Sequence, residues 1–369
     1  MNVFAPQHEA ADIVQLLTPE GERITHERFS WEGTDADIVG FLRDMTLARR
    51  FDDEAHALQR HGELGLWPPL RGQEAAQVGS GRAVGPLDVI FPSYREHGVA
   101  MCLGVPVSDI LGLFRGSHGG DRSAVERFRN YAIVIGSQTL HATGYAMGMQ
   151  FDGMVGNDDP TRNGAVMVYH GDGASSQGDV NEAYVFAASY NAPVVFFCQN
   201  NQWAISEPIT RQTRIPLYQR ARGFGFPGVQ VDGNDVLAVR TVTEWALERA
   251  RRGEGPTFVE AYTYRVGAHT TSDDPTKYRL NEEDEHWRYK DPIERVRAYL
   301  VRRGLVTEAE LAELRQDADD LGADVRRITR ELADKTLSEM FDSVYAEQTP
   351  YLDAQRRAYE RYAESLEVL

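Results

Sequence analysis

The stretch VMVYHGDGASSQGDVNEAYVFAASYNAPVVFFCQNNQWAIS, from Val166 to Ser206, decides how the rest of the chain is read. An apolar run ends abruptly at Gly171-Asp172-Gly173, and after 26 intervening residues a second apolar segment ends at Asn200-Asn201. Between them lies a small-residue segment that predicts a helix from about Asp179 to Tyr190. Short, unbroken apolar runs bounded by turn residues read as strands buried on both faces. Strand, helix and strand in that order predict a parallel pair joined by a crossover. Both polar clusters then fall at carboxyl ends of adjacent strands, the edge where open α/β sheets hold their ligands.

The same alternation continues outward. DVIFPSYREHG reads as a strand running into a loop, and YAIVIGSQTLHATGYAMGMQF as a strand, a turn and a helix. GVQVDG and PTFVEAYTYRV are further strands around the helix DVLAVRTVTEWALERARR. Upstream, Ile38, Phe41, Leu42 and Met45 share one face of a helix that Thr34 and Asp37 open as a capping box, and GQEAAQVGSGRAV is a second helix. HGGDRSAVERFRN reads as a polar linker. The fold class is therefore α/β: a mostly parallel central sheet flanked by helices, with helical N- and C-terminal extensions. Residues 1–33 read as a polar arm and 34–369 as a single domain.

Composition narrows the function classes. With 39 basic and 56 acidic residues the formal charge is −17, which disfavours a nucleic-acid backbone binder but leaves room for a local anion pocket. Cys102 and Cys198 form no disulfide framework or metal spacing, so a cytoplasmic setting is expected. MNVFAPQHEAADIVQLL lacks a basic region followed by an apolar core, so no signal peptide is expected.

The two clusters carry chemistry. Gly171 and Gly173 allow close backbone approach to a ligand, and amides entering the following helix can face an anion. Asp172 offers a carboxylate, Asn201 an amide oxygen and the next turn a backbone carbonyl. An all-oxygen set suits a hard cation, Mg²⁺ above all, whose remaining positions go to substrate phosphate and water. Taken singly, each cluster also reads as ordinary turn chemistry, with Asp172 capping a helix and Asn200-Asn201 turning the chain. Their joint position on one sheet edge favours the cation.

Four stretches, GDGASSQGDVNEAYVFAA, QNNQWAIS, VDGNDVLAV and YRVGAHTTSDDPTKYR, occur in an order that resembles the alpha subunit of the decarboxylating dehydrogenase component of 2-oxo acid dehydrogenase complexes. The spacing of Gly171-Asp172-Gly173 and Asn200-Asn201 matches that family's thiamine-diphosphate motif, and the resemblance implies the thiamine diphosphate-binding fold. It implies Asp172, Asn201 and the Trp203 carbonyl as Mg²⁺ ligands. Tyr94, Arg95, Gly171, Gly173, Ala174 and Gln199 are implied around the diphosphate, and Ser137 and Thr139 along the middle of the cofactor. His269 is implied as the active-site histidine and His97 as a second one. Its general-acid role calls for a pKa near neutrality.

The resemblance further implies decarboxylation of a 2-oxo acid, transfer of the acyl group to the lipoyl domain of an acyltransferase component, and a beta subunit in an alpha-two beta-two heterotetramer. The carboxylate that activates the cofactor is expected on that beta subunit, since Glu74 and Glu182 match no such position. His97 and Gln177 tilt the expected substrate towards pyruvate, with branched-chain 2-oxo acids close behind. An acetoin dehydrogenase alpha subunit and a non-catalytic diphosphate-binding regulatory subunit are the rival readings. Residues 267–290 read as a polar active-site loop, expected to be mobile without cofactor, and Thr270 stands where mammalian relatives carry a regulatory serine.

Overall fold

The computed structural model describes residues 12–117, 125–336, 339–342 and 344–367. Part of the polar linker and the first third of the arm lie outside the described residues. Helix α1 (Asp35–Arg60) opens as its sequence predicts: the Thr34 side chain accepts from the Asp37 amide while Asp37 reaches back to the Thr34 amide. α2 (Glu74–Gly81) follows, then β1 (Val89–Phe91), α3 (His97–Cys102), α4 (Val107–Arg115) and α5 (Ser137–Phe151).

The deciding stretch folds as β2 (Val166–Gly171), a 3-10 turn at Gly173–Ser176, α6 (Gly178–Tyr190) and β3 (Val194–Asn200). A two-residue hairpin comes next, β4 (Trp203–Ala204) against β5 (Glu207–Pro208), followed by the short α7 (Ile209–Gln212) and α8 (Gln219–Phe224). β6 (Gly228–Asp232), α9 (Val236–Arg251) and β7 (Thr257–Tyr262) complete the alternation. The helices α10 (Asn281–Tyr289), α11 (Pro292–Arg302) and α12 (Glu308–Glu331) come last before the chain ends in the short α13 (Glu339–Asp342) and α14 (Pro350–Glu367). None of the described helices is long and apolar enough to cross a membrane.

The five-stranded sheet runs β1-β2-β3-β7-β6 and every pair in it is parallel. β3 is buried at all seven positions, and its alternate side chains enter two cores. Val195 and Phe197 join the layer beneath α1, α2 and α9; Val194, Phe196 and Cys198 join the layer beneath α5, α6 and α8. At roughly 1.5–3 kcal/mol per buried large aliphatic or aromatic side chain, this double burial is why an unbroken apolar run, not an alternating one, marks the central strand. The register sets Gly171 opposite Gln199, which brings the ends of β2 and β3 side by side.

Two segments depart from expectation. The run Tyr131–Ile135 is not a strand: Ile133, Val134 and Ile135 are 59%, 73% and 44% exposed in an irregular lead-in to α5. Apolar composition alone does not tell a core strand from an outward-facing surface. The arm, for its part, is anchored. Val14, Leu16 and Leu17 are buried, Val14 bridges Val231 at the outer edge of β6, and the Leu16 and Leu17 amides both donate to Asp235 Oδ2 at 2.6 Å.

Candidate cofactor and active site

A cavity of about 230 Å³ opens at the carboxyl ends of β2 and β3. The elements around it explain its lining. Asp172 follows β2 directly, Asn201 follows β3, Trp203 to Ile205 belong to the hairpin, and Tyr94 and Arg95 sit on the loop from β1 into α3. His269 arrives on the segment after β7. Residues up to 175 positions apart in the chain thus meet because parallel strands all end on one edge.

Asp172 is 1% exposed, and its Oδ2 accepts from the neutral Gln212 amide at 2.8 Å. Burial pushes its carboxyl up to about 6. Asn201 gives its Nδ2 to Gln73 at 3.0 Å, so its Oδ1 is left with only the Trp203 amide at 3.3 Å. The Trp203 carbonyl accepts from Arg265 Nη1 at 3.3 Å, which leaves one of its two lone pairs. Among the described residues no three His, Cys, Asp or Glu side chains gather as a metal cluster, so a cation in this cavity would need neutral oxygens beside its carboxylate ligands.

The two motif glycines differ in purpose. A Cβ on Gly171 would meet nothing within 4 Å, so its face is open. A Cβ on Gly173 would lie 2.7 Å from the Ala204 Cβ, so Gly173 is required by the packing of the hairpin against the turn. Ala174 follows in the 3-10 turn and also lines the cavity.

Arg95 is buried and holds the far wall. It donates to the Pro69 carbonyl, to the His269 carbonyl at 3.0 Å and towards His269 Nδ1 at 3.4 Å, while its guanidinium lies 5.4 Å over the Tyr94 ring. Arg265 Nη1 approaches the same Nδ1 at 3.2 Å. A guanidinium can only donate, so Nδ1 is the acceptor and the imidazole proton sits on Nε2. Burial, then the two arginines, push His269 down to about 3. The expected near-neutral acid is therefore, in this chain, a neutral imidazole wedged between two cations.

Other expected site residues lie elsewhere. His97 is fully buried, stacked on Trp67 with ring centroids 4.3 Å apart, and touches the Tyr131 hydroxyl and the Pro68 carbonyl. It is absent from the cavity lining, and burial first, then Arg95, push it to about 3. The Ser137 hydroxyl donates to the Val134 carbonyl, and the Thr139 hydroxyl to the Gly136 carbonyl, inside the first turn of α5. The lining comes instead from Ile135 and Gly136 before the helix, the latter at φ +86°, and from Gln138 within its first turn. Of the two glutamates weighed above, Glu74 pairs with Arg49 at 2.8 Å and Glu182 lies on an exposed face, and neither lines the cavity.

Sequence reasoning missed Gln73, Ser93, Glu96 and Ile205, which all line it. Glu96 sits between Arg95 and His97 in SYREHG, and its carboxylate accepts from the Ser93 amide and hydroxyl and from Gln199. Burial raises its pKa. The signal was there: a carboxylate inside a motif already read for its neighbours. Ile205 carries its own mark, a β-branched residue at φ +56°, which costs on the order of 1–3 kcal/mol and collects at functional sites.

A parallel sheet with such a cavity at its carboxyl edge has the form of a ligand-binding α/β protein, and comparison with known proteins places it. A family model described as the dehydrogenase E1 component matches residues 42–328. The 3-methyl-2-oxobutanoate dehydrogenase subunit alpha of Mycobacterium tuberculosis is 43% identical over 345 residues, covering 93% of this chain and 92% of the relative. The pyruvate dehydrogenase E1 component subunit alpha of Staphylococcus epidermidis is 37% identical over 355 residues, 94% of this chain and 92% of the relative, and its Staphylococcus aureus counterpart is 36% identical. The chain belongs to the dehydrogenase E1 component family, as an alpha subunit of a 2-oxo acid dehydrogenase.

Proposed function

We propose that the chain is the alpha subunit of a thiamine diphosphate- and Mg²⁺-dependent enzyme that oxidatively decarboxylates a branched-chain 2-oxo acid and passes the acyl group to a lipoyl group. The observation that carries this is the convergence of Asp172, Asn201, the Trp203 carbonyl and Arg95 on one cavity. The residues fit a magnesium diphosphate. Asp172 is a buried carboxylate whose hydrogen bonds come from neutral amides, the Gln212 side chain and the Asn201 backbone among them, Asn201 keeps Oδ1 free of any stronger donor, and Gly171 is open beside them. A divalent cation would satisfy the two oxygens, and the Arg95 guanidinium suits phosphate oxygens.

Thiamine diphosphate, when bound, supplies the nucleophile and the electron sink. The chain's own residues then have separate tasks. Asp172, Asn201 and Trp203 hold the cation, while Arg95 and Tyr94 shape the wall. His269 presents an Nε2–H, held in that tautomer by Arg95 and Arg265, and donates a hydrogen bond without itself carrying charge.

Two observations support a branched-chain substrate. His97, which tilted the sequence reading to pyruvate, stacks in an aromatic cluster outside the cavity, and the 3-methyl-2-oxobutanoate relative shares 43% identity against 37% for the pyruvate relative. A beta subunit fits the surface: Gly144 and Gly148 on α5 face open space, and Val185, Phe186 and Tyr190 on α6 are exposed beside them. An alpha-two beta-two heterotetramer would cover that face.

The test is Asp172→Ala in the assembled enzyme. Calorimetry should show no thiamine diphosphate binding at millimolar Mg²⁺, and wild-type affinity would sink the assignment. In the wild type, kcat/KM for 3-methyl-2-oxobutanoate should exceed that for pyruvate by at least about tenfold, since a single methylene in a hydrophobic pocket is worth about 10–200-fold. The reverse order would assign pyruvate.

A further inference from the structure

The loop that carries Asn201 and the Trp203 carbonyl is clamped from the neighbouring strand. β7 pairs with β3 so that Glu260 lies opposite Cys198 and Tyr262 opposite Asn200. Beyond β7 the Thr263 amide donates to the Asn200 carbonyl at 2.9 Å. Gln202, between the two candidate ligands, sits at φ +71°, a left-handed conformation that a non-glycine residue keeps only when its surroundings over-determine it. Its amide donates to Asn200 Oδ1 at 3.1 Å, its Nε2 to the Thr263 carbonyl at 2.7 Å, and its Oε1 accepts from the Tyr262 hydroxyl at 3.1 Å.

Asn200 is therefore the hinge of this arrangement, and its other end is tied to Glu260. Asn200 Nδ2 donates to Glu260 Oε1 at 2.6 Å, the Tyr218 amide donates to Oε2 at 2.8 Å, and the Gln230 amide is a third partner. Glu260 is completely buried. Burying a carboxylate is costly, so the choice of glutamate over glutamine needs a reason. Asn200 has already spent its oxygen on Gln202 and offers only N–H, as do the Tyr218 backbone and the Gln230 amide. Three converging donors are satisfied by an all-acceptor group, and an amide would turn an N–H against one of them.

We infer that Glu260 is a positioning residue for the cation loop: through Asn200 it locks the left-handed turn that aims the Asn201 side chain and the Trp203 carbonyl into the cavity. The inference rests on reading that cavity as the Mg²⁺–diphosphate site.

The test exploits a swap that keeps the hydrogen bonds between positions 200 and 260 and from the Tyr218 amide. Glu260→Gln alone leaves two N–H groups facing each other, and Asn200→Asp alone sets two carboxylates together. Combined, the new amide at 260 donates to the new carboxylate at 200 and still accepts from Tyr218. Mg²⁺ would be titrated calorimetrically into the assembled enzyme at fixed thiamine diphosphate, with a melting curve and kcat at saturating cofactor for each variant. Each single variant should bind Mg²⁺ about tenfold or more weakly, in line with losses of about 10–100-fold when a group that orients a metal ligand is removed. Its kcat at saturation should stay within about twofold, and the double variant should return to within about threefold of wild-type affinity.

Wild-type Mg²⁺ affinity in Glu260→Gln, or a double variant no better than the worse single one, overturns the role of Glu260. Asp172→Ala run in parallel separates the two ideas. If it binds Mg²⁺ and thiamine diphosphate normally, the site reading itself fails and this inference with it. If it does not bind while Glu260→Gln behaves as wild type, only the positioning role fails.

Discussion

At the scale of single residues, the charge state of His269 matters most. A free histidine titrates near 6.5, but this one is pushed down to about 3 by burial and by Arg95 and Arg265. The consequence for stability has a definite sign. As pH falls from about 6.5 towards 3, the unfolded imidazole takes a proton that the folded one refuses, so stability drops through that window and is unaffected above it. Reactivity offers a cleaner readout, because only neutral imidazole reacts with diethyl pyrocarbonate. Modification of His269 in the cofactor-free enzyme should persist undiminished down to pH 5. In Arg265→Gln one of the two cations is gone while burial and Arg95 remain, so the pH at which the rate falls off should move upward from the wild-type position. Unchanged pH dependence in that variant would mean that burial and Arg95 set the pKa without Arg265.

At the scale of elements, the glycines of one motif divide their labour between approach and packing. Gly173→Ala forces a Cβ to 2.7 Å from the Ala204 Cβ and should cost about 1–3 kcal/mol in a denaturant melt. Gly171→Ala meets no atom within 4 Å, so it should melt within about 0.5 kcal/mol of wild type while losing thiamine diphosphate affinity, because the new methyl group occupies ligand space. Equal losses of stability would contradict the division. This level is also where the sequence was most legible. β2, β3, β6, β7 and the helices between them follow from buried runs, caps and turn residues, all local signals, and the site edge follows from them. What stayed hidden was non-local. His97 reads like a site residue until Trp67, thirty positions earlier, takes it into a stack. Glu96 shows its place only when Gln199 arrives from a different strand. Ile133 to Ile135 carry the composition of a strand, and composition is silent about which neighbour, internal or external, is to cover it.

At the scale of the whole molecule, the proposed function makes the chain an incomplete catalytic unit. Two carboxylates line the cavity; Asp172 is committed to the cation reading, and both oxygens of Glu96 accept from Ser93 and Gln199. The alpha chain purified alone should release no CO₂ from 3-methyl-2-oxobutanoate even with saturating cofactor. Light scattering should also show self-association through the exposed α5–α6 face and the Ile133–Ile135 run. Adding the beta subunit should restore turnover and a discrete particle; turnover without it would shift attention to Glu96 as the activating group. The far side of the sheet is safer ground. Val14 donates to the Gln230 carbonyl at 3.0 Å and accepts from the Asp232 amide at 2.9 Å, taking up pairing groups along the free edge of β6. A bare outer strand is a template on which another molecule can add its own. A chain that would offer one greasy face to a partner therefore keeps the other edge of its sheet from polymerising with a few residues of arm whose polar surroundings make them look expendable.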